Sequence, residues 1–263
     1  MNPLLSRLIV AAVGLPAVLG LVWLGGWWLW LLALVGGLIA LHEFYAIARP
    51  LRPLVPAGYV GLVLTLLGAQ LGGVVWMVGG FLATAALAFL LKGISDTRQS
   101  LTVAVATTVL GAAWTGLGLG YILLLRDIPE HGRLVAFTLL LAVFAADTLA
   151  YVVGRLVGRH KLAPAISPGK TWEGLVASTI AAVLVPFFAL YHQHFLSVGE
   201  SFVLGAVIAV SAPVGDLFES AMKRDFGVKD SGAVLLGHGG MLDRIDALLF
   251  ASAASFYTIL ALT

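Results

Sequence analysis

The sequence contains no cysteine and few charged residues. Of its 263 residues, 11% are Asp, Glu, Lys or Arg and 60% are hydrophobic, whereas a soluble domain carries about 25% charged residues. The absence of cysteine excludes disulfides, zinc sites built from thiolates and cysteine nucleophiles. The scarcity of charge excludes an ordinary soluble domain. We therefore expect an all-α, polytopic integral membrane protein.

Long hydrophobic runs divide the chain into candidate membrane spans, each of which needs about 20 apolar residues. Only Gly25-Gly26 separates the first two runs and only Gly72-Gly73 the third and fourth, so either pair could instead form a re-entrant hairpin. Pro16 within the first run favours a retained span over a cleaved signal peptide. The prediction is about nine transmembrane helices, at 8–24, 27–41, 57–72, 73–91, 101–125, 134–154, 173–192, 200–221 and 245–262.

The basic residues predict the orientation of these spans. With nine spans and a cytoplasmic N-terminus, Arg126 and Arg133 are the only two of the 15 basic residues outside, and the other 13 lie in cytoplasmic segments. Cytoplasmic loops of membrane proteins carry this excess of Lys and Arg. We expect one membrane domain, residues 1–263, in which 1–133 form anchoring helices and 134–263 form catalytic helices and cytoplasmic loops.

The first half contains mainly residues typical of membrane anchoring. Trp23, Trp27, Trp28 and Trp30 cluster as the aromatic belts of membrane interfaces do. Glu43 stands near the end of a predicted span. It could be an intramembrane acid, but snorkelling to the interface is the favoured interpretation.

The first polar cluster of the second half is Asp147, Tyr151 and Arg155. Their spacing places all three on one face of a helix. A charged Asp inside a span costs about 2.5–3.5 kcal/mol, so it should face a partner or a water-filled cavity. Gly154 and Gly158 have the spacing that allows close helix approach. The cluster is either a substrate site or a structural pair of Asp147 with Arg155.

The second cluster is Ser167, Lys170 and Thr171, in a predicted loop that opens a helix. Hydroxyls, an ammonium group and free backbone N–H groups at a helix N-terminus form an anion site. Pro164 stands where a P-loop requires glycine, which excludes that motif. The cluster is either a phosphate-binding loop or a positively charged helix cap.

The third cluster combines a helix stripe with two aspartates further along the chain. Asp216, Glu219, Ser220 and Lys223 fall on one helix face, and Asp243 and Asp246 lie one turn apart at the start of the last span. Carboxylates from two helix ends suit Mg²⁺, which takes one or two of them with substrate phosphate and water. His238 precedes two glycines and is either structural or a base.

The segment from Ser220 to Asp246, called the signature below, resembles that of the phosphatidate cytidylyltransferases, also called CDP-diacylglycerol synthases. It departs from the family pattern only at Leu236, where proline or glycine is usual. Asp147 and the Ser167–Gly174 segment also resemble conserved blocks of this family. The matching signature residues are Ser220, Met222, Lys223, Arg224, Lys229, Asp230, Gly232, Leu235, His238, Gly239, Gly240, Met241, Asp243, Arg244, Ile245 and Asp246.

The resemblance implies an all-helical, dimeric enzyme that converts CTP and phosphatidic acid into CDP-diacylglycerol and pyrophosphate. It implies Mg²⁺ held by Asp216, Asp243 and Asp246, and leaves a second cation such as K⁺ open. Lys223 joins these three as a catalytic residue. We expect a bacterial inner-membrane protein whose site faces the cytoplasm and binds no nucleic acid. The predicted substrate and phosphate ligands are Ser167, Lys170, Thr171, Ser220, Arg224, Lys229, His238, Arg244, Asp147, Tyr151 and Arg155.

Two other functions remain open from the sequence. A CTP-dependent lipid kinase, of the dolichol or phytol kinase type, would use similar substrates but would need a base for the lipid hydroxyl. A transporter would use Asp147 and Asp216 as relay groups. Polar residues at one membrane face, rather than near the midplane, and the absence of an evident inverted repeat speak against a transporter.

Overall fold

The computed structural model describes residues 3–94, 100–193, 195–232 and 239–263. These form an almost entirely helical protein, which confirms the all-α prediction. Short 3₁₀ turns at Arg49–Leu51 and Tyr191–Gln193 and a π-helical turn at Ala113–Leu117 connect or interrupt the helices. The elements are α1 (Pro3–Leu24), α2 (Gly26–Ile47), α3 (Val55–Ile94), α4 (Leu101–Ala112), α5 (Gly118–Arg126), α6 (Gly132–Leu156), β1 (Lys161–Ala163), β2 (Ser167–Thr171), α7 (Trp172–Leu190), α8 (Val198–Asp225) and α9 (Leu242–Leu262).

Within the described residues, 7 helical segments are long and apolar enough to cross a membrane. The chain is therefore a multi-pass membrane protein. The described apolar part of α1, Gly14–Leu24, is shorter. Helix α3 contains both predicted spans 57–72 and 73–91 in one element of 40 residues. The number of nine spans stays a prediction.

Helix α3 is divided by a turn at two glycines. Gly72 and Gly73 have non-helical backbone angles, and the φ of +68° at Gly73 is one that glycine adopts without strain. A Cβ at Gly61 would overlap Thr84, and one at Gly80 would overlap the backbone of Leu64. The two halves of α3 therefore fold back on each other as a closely packed antiparallel hairpin.

The chain forms two compact units. Unit 1 comprises residues 1–127 and 228–245, and unit 2 comprises 128–227 and 246–263. Phe44, Leu62 and Met77 are fully buried in unit 1, and Leu190 and Ile208 in unit 2. Both units also expose large apolar side chains, as helices in contact with lipid do. Helix α9 begins in unit 1 and continues in unit 2.

A short antiparallel hairpin of β1 and β2 precedes helix α7 in unit 2. Lys161 pairs with Thr171 and Ala163 with Ser167. The prediction of a loop at Ser167–Thr171 was therefore wrong. One physical reason is Pro168, because a residue before proline is confined to extended backbone and Ser167 begins the strand.

Candidate active site

Helix α6 presents the first predicted cluster at its C-terminal end. Arg155 Nη1 donates a hydrogen bond of 2.7 Å to Tyr151 Oη, one helical turn earlier. Asp147 is exposed and interacts electrostatically with Lys170 and Asp216. Arg155 thus bonds to Tyr151 and not to Asp147. This contact argues against the structural pair of Asp147 with Arg155.

Small residues bring α6, the β-hairpin and α7 close together. A Cβ at Gly158 would overlap the side chain of Thr171, and one at Gly174 would lie 2.7 Å from the carbonyl oxygen of Ala150. A Cβ at Gly154 would also lie 3.0 Å from Thr171 Oγ1, so both glycines of the predicted pair lie against the end of strand β2. Thr171 Oγ1 accepts a hydrogen bond of 3.2 Å from Gly174 N. Thr171 is therefore the N-cap of α7.

The hairpin is tied to helix α8 by two cationic side chains. Lys170 Nζ lies 2.7 Å from a carboxylate oxygen of Asp216. Arg224 Nε donates a hydrogen bond of 3.1 Å to the carbonyl oxygen of Ile166, in the turn of the hairpin. Lys170 thus reaches across to α8, and Ser167 is partly exposed on the same strand.

Helices α8 and α9 approach closely where Asp216 and Asp246 lie. A Cβ at Gly215 would stand 2.6 Å from the backbone oxygen of Asp246, so the close contact requires glycine there. Asp246 is 7% exposed, and its charge interacts with those of Asp216 and Asp147. Three carboxyl groups from α6, α8 and α9 therefore converge near Lys170.

The rest of the α8 stripe lies beside this cluster. Lys223 Nζ is 2.8 Å from Glu219 Oε2, and both side chains are buried. Ser220 Oγ lies 3.5 Å from Asp216 Oδ1. Glu219 also contacts the carboxyl group of Asp246. The helical spacing read from the sequence therefore corresponds to one connected polar surface.

Two carboxyl groups of this surface could hold a cation. Within the described residues, no group of three or more histidines or acids is arranged to hold a metal ion. Mg²⁺ nevertheless takes only one or two carboxylates when substrate phosphate and water complete its shell. Asp216 and Asp246 fit that requirement. The surface has four carboxyl groups and two ammonium groups, from Asp147, Asp216, Glu219 and Asp246 and from Lys170 and Lys223.

The remaining predicted site residues that the structure describes belong to unit 1. Asp243 accepts hydrogen bonds from the backbone N–H groups of Gly240, at 2.9 Å, and Ser231, at 3.1 Å. Lys229 and Arg244 are exposed. His238 lies outside the described residues. The structure thus places Asp216 and Asp246 in unit 2 and Asp243 in unit 1.

Glu43 of helix α2 is a residue that the sequence interpretation favoured placing at the membrane interface. Its side chain is 2% exposed and accepts hydrogen bonds from Met241 N at 3.0 Å and Leu242 N at 2.9 Å. The snorkelling interpretation was wrong, because snorkelling would place the carboxylate in water. An isolated acid in an apolar run was the available signal, but it did not identify a partner.

Comparison with known proteins places the whole chain in one family. The model described as "Cytidylyltransferase family" matches residues 5–262. A phosphatidate cytidylyltransferase of Staphylococcus haemolyticus is 35% identical over 93% of this chain and 94% of its own length. One from Staphylococcus aureus is 34% identical over the same shares. Because the match extends over nearly all of the sequence, this chain belongs to the cytidylyltransferase family.

Proposed function

We propose that this protein transfers CMP from CTP to phosphatidic acid, giving CDP-diacylglycerol and pyrophosphate. The observation that carries the proposal is the similarity to phosphatidate cytidylyltransferases over 93% of the chain. The signature and the converging side chains of unit 2 support the same reaction. A lipid kinase and a transporter are not favoured by these relatives.

The reaction requires positioning and charge neutralisation more than a strong base. A phosphate oxygen of phosphatidic acid attacks the α-phosphorus of CTP, and the bond between that phosphorus and the bridging oxygen to the β-phosphate breaks. The pyrophosphate group leaves with the bonding electrons. Because the attacking phosphate oxygen is already anionic, fixed cations and aligned groups supply most of the catalysis.

The basic residues of unit 2 suit the binding of phosphate. Lys170 reaches from strand β2 to Asp216 of α8, and Arg224 reaches from α8 to the carbonyl oxygen of Ile166 in the hairpin. Ser167 adds a hydroxyl on β2. Binding of a triphosphate would compete with Asp216 for the ammonium group of Lys170. Lys223, held by Glu219, provides a second ammonium group on the same stripe.

Asp216 and Asp246 would hold Mg²⁺, which supplies neutralisation of phosphate charge when it is bound. The placement of these two carboxyl groups on neighbouring helices, which are in close contact at Gly215, supports this assignment. Asp243 remains a proposed contributor, although the described structure engages it with two backbone N–H groups. Asp147, exposed on α6, borders the same cluster.

The proposal also covers the membrane in which the protein lies and its oligomeric state. Bacterial relatives and the distribution of basic residues support the inner membrane, with the site facing the cytoplasm. Apolar helix surfaces would accommodate the acyl chains of the lipid. A homodimer, implied by the family resemblance, can be checked by the molar mass of the purified protein in detergent.

One labelling experiment tests the reaction. The purified protein is given phosphatidic acid, Mg²⁺ and CTP labelled at either the α- or the γ-phosphate. We expect label in the lipid from α-labelled CTP only. A parallel assay replaces phosphatidic acid with a lipid alcohol, and label from γ-labelled CTP in its lipid fraction would identify a lipid kinase. No labelled lipid from phosphatidic acid with either nucleotide would contradict the proposal.

A further inference from the structure

Glu43 connects the end of helix α2 to the signature at two points, all within unit 1. Its carboxyl group accepts hydrogen bonds from Met241 N and Leu242 N, at 3.0 and 2.9 Å. It also accepts one of 3.2 Å from Ser231 Oγ. A buried carboxylate costs free energy unless such donors satisfy it. The three bonds therefore fix both the acid and the segments that supply the donors.

Two glycines of the signature make room for this acid. A Cβ at Gly232 would lie 2.5 Å from Glu43 Oε1, and one at Gly240 would lie 2.6 Å from Oε2. A Cβ at Gly240 would also overlap Ser231 Oγ. Side chains at these two positions would thus displace the carboxylate. The space that Glu43 occupies therefore explains why glycine is needed at both positions, apart from any role in a turn.

The contacts of Ser231 lead from Glu43 to Asp243. While Ser231 Oγ donates to Glu43, its backbone N–H donates to Asp243 at 3.1 Å. The N–H groups at residues 241 and 242 lie at the start of helix α9, where backbone donors have no partner within the helix. A carboxylate there also interacts favourably with the helix dipole. Glu43 therefore caps the start of α9.

We propose that Glu43 is a positioning residue for the CMP transfer of the previous section. It would hold Ser231 and the first turn of α9, and through them Asp243, in the arrangement that turnover requires. The inference rests on the proposed function for its catalytic part. The anchoring part rests on the contacts alone.

The test compares Glu43→Gln with Glu200→Gln in the full-length protein in lipid nanodiscs. Glu200 is a matched control, because it is also a helix-capping acid and accepts a hydrogen bond of 2.7 Å from Ser197 N in unit 2. Gln keeps the size of the side chain but replaces one acceptor oxygen with a donor. We expect Glu43→Gln to lower kcat at least about 10-fold with KM for CTP changed less than about threefold, and Glu200→Gln to leave both unchanged.

Hydrogen–deuterium exchange supplies a readout that needs no substrate. In Glu43→Gln, peptides covering 228–232 and 239–245 should exchange faster than in the wild type, while peptides of α4 should not. Ser231→Ala should lower kcat less than Glu43→Gln. The double variant should lose less than the product of the two effects, because both changes remove the same contact.

Three results would each overturn the inference. The first is a kcat of Glu43→Gln within twofold of the wild-type value, and the second is a loss of kcat no larger than the fraction of unfolded protein explains. The third is unchanged exchange in the peptides covering 228–232 and 239–245. A wild-type protein inactive with CTP and phosphatidic acid would instead overturn the proposed function and, with it, the catalytic part of this inference. Hydrogen–deuterium exchange in Glu43→Gln would then still test whether Glu43 anchors Ser231 and the start of α9.

Discussion

Asp246 lies buried at the start of the unit 2 part of helix α9, where its charge interacts with Asp216 and Asp147. Replacing it with Asn keeps the shape but removes one of the two carboxylates that fit Mg²⁺. We expect Asp246→Asn to lower turnover at least about 100-fold, because positioned charge stabilisation contributes several kcal/mol in the transition state. The measurement is CMP transfer as a function of Mg²⁺ concentration.

Asp225→Asn serves as the control for this substitution. Asp225 is the last residue of helix α8 and is exposed, so the same chemical change there should leave turnover unaltered. Near-normal activity of Asp246→Asn at limiting Mg²⁺ would refute its assignment as a metal ligand. Both variants should first be shown to be inserted and folded.

Helices α8 and α9 approach each other closely at Gly215, and this contact predicts the effect of adding a side chain there. A Cβ at Gly215 would lie 2.6 Å from the backbone oxygen of Asp246 and 3.1 Å from Cα of Ala247. Gly215→Ala should therefore push the helices apart, destabilise the protein by about 1–3 kcal/mol and separate Asp216 from Asp246. We expect at least about a 10-fold loss of kcat together with a lower Tm.

The same helix provides the control. Gly199, in the first turn of α8, has no atom near the position of an added Cβ. Gly199→Ala should leave activity unchanged and stability unchanged or slightly higher, because Ala favours helix more than Gly does. Equal behaviour of the two variants would show that close packing at Gly215 does not matter for the site.

Local contacts explain which features could be predicted from the sequence. Ser220 and Lys223 contact Asp216 and Glu219 one turn away on their own helix, so helical periodicity was enough to group them. The contact of Glu43 with Leu242 joins residues 199 positions apart, and no spacing rule reaches that far. The β-hairpin was missed because β1 and β2 have 3 and 5 residues, too few for an alternating pattern to be recognised.

At the scale of the whole molecule, each unit combines segments that are distant in sequence. Unit 1 joins the first 127 residues to 228–245, and unit 2 joins 128–227 to 246–263. Helix α9 therefore carries Asp243 in one unit and Asp246 in the other. The signature supplies proposed site residues. If CTP is the substrate, the signature must therefore face the side of the membrane that holds the nucleotide.

That requirement gives a topological prediction, which the absence of cysteine makes simple to test. Single cysteines can be placed at three exposed positions, Lys161, Lys229 and Asp127. If the loops after α6 and α8 are cytoplasmic, an impermeant thiol reagent added to intact cells should label only Asp127→Cys, in the loop after α5. Permeabilised cells should give labelling of all three, which controls for accessibility. Labelling of Lys161→Cys or Lys229→Cys in intact cells would place the hairpin or the signature outside, away from cytoplasmic CTP, and would contradict both the orientation and the proposed reaction.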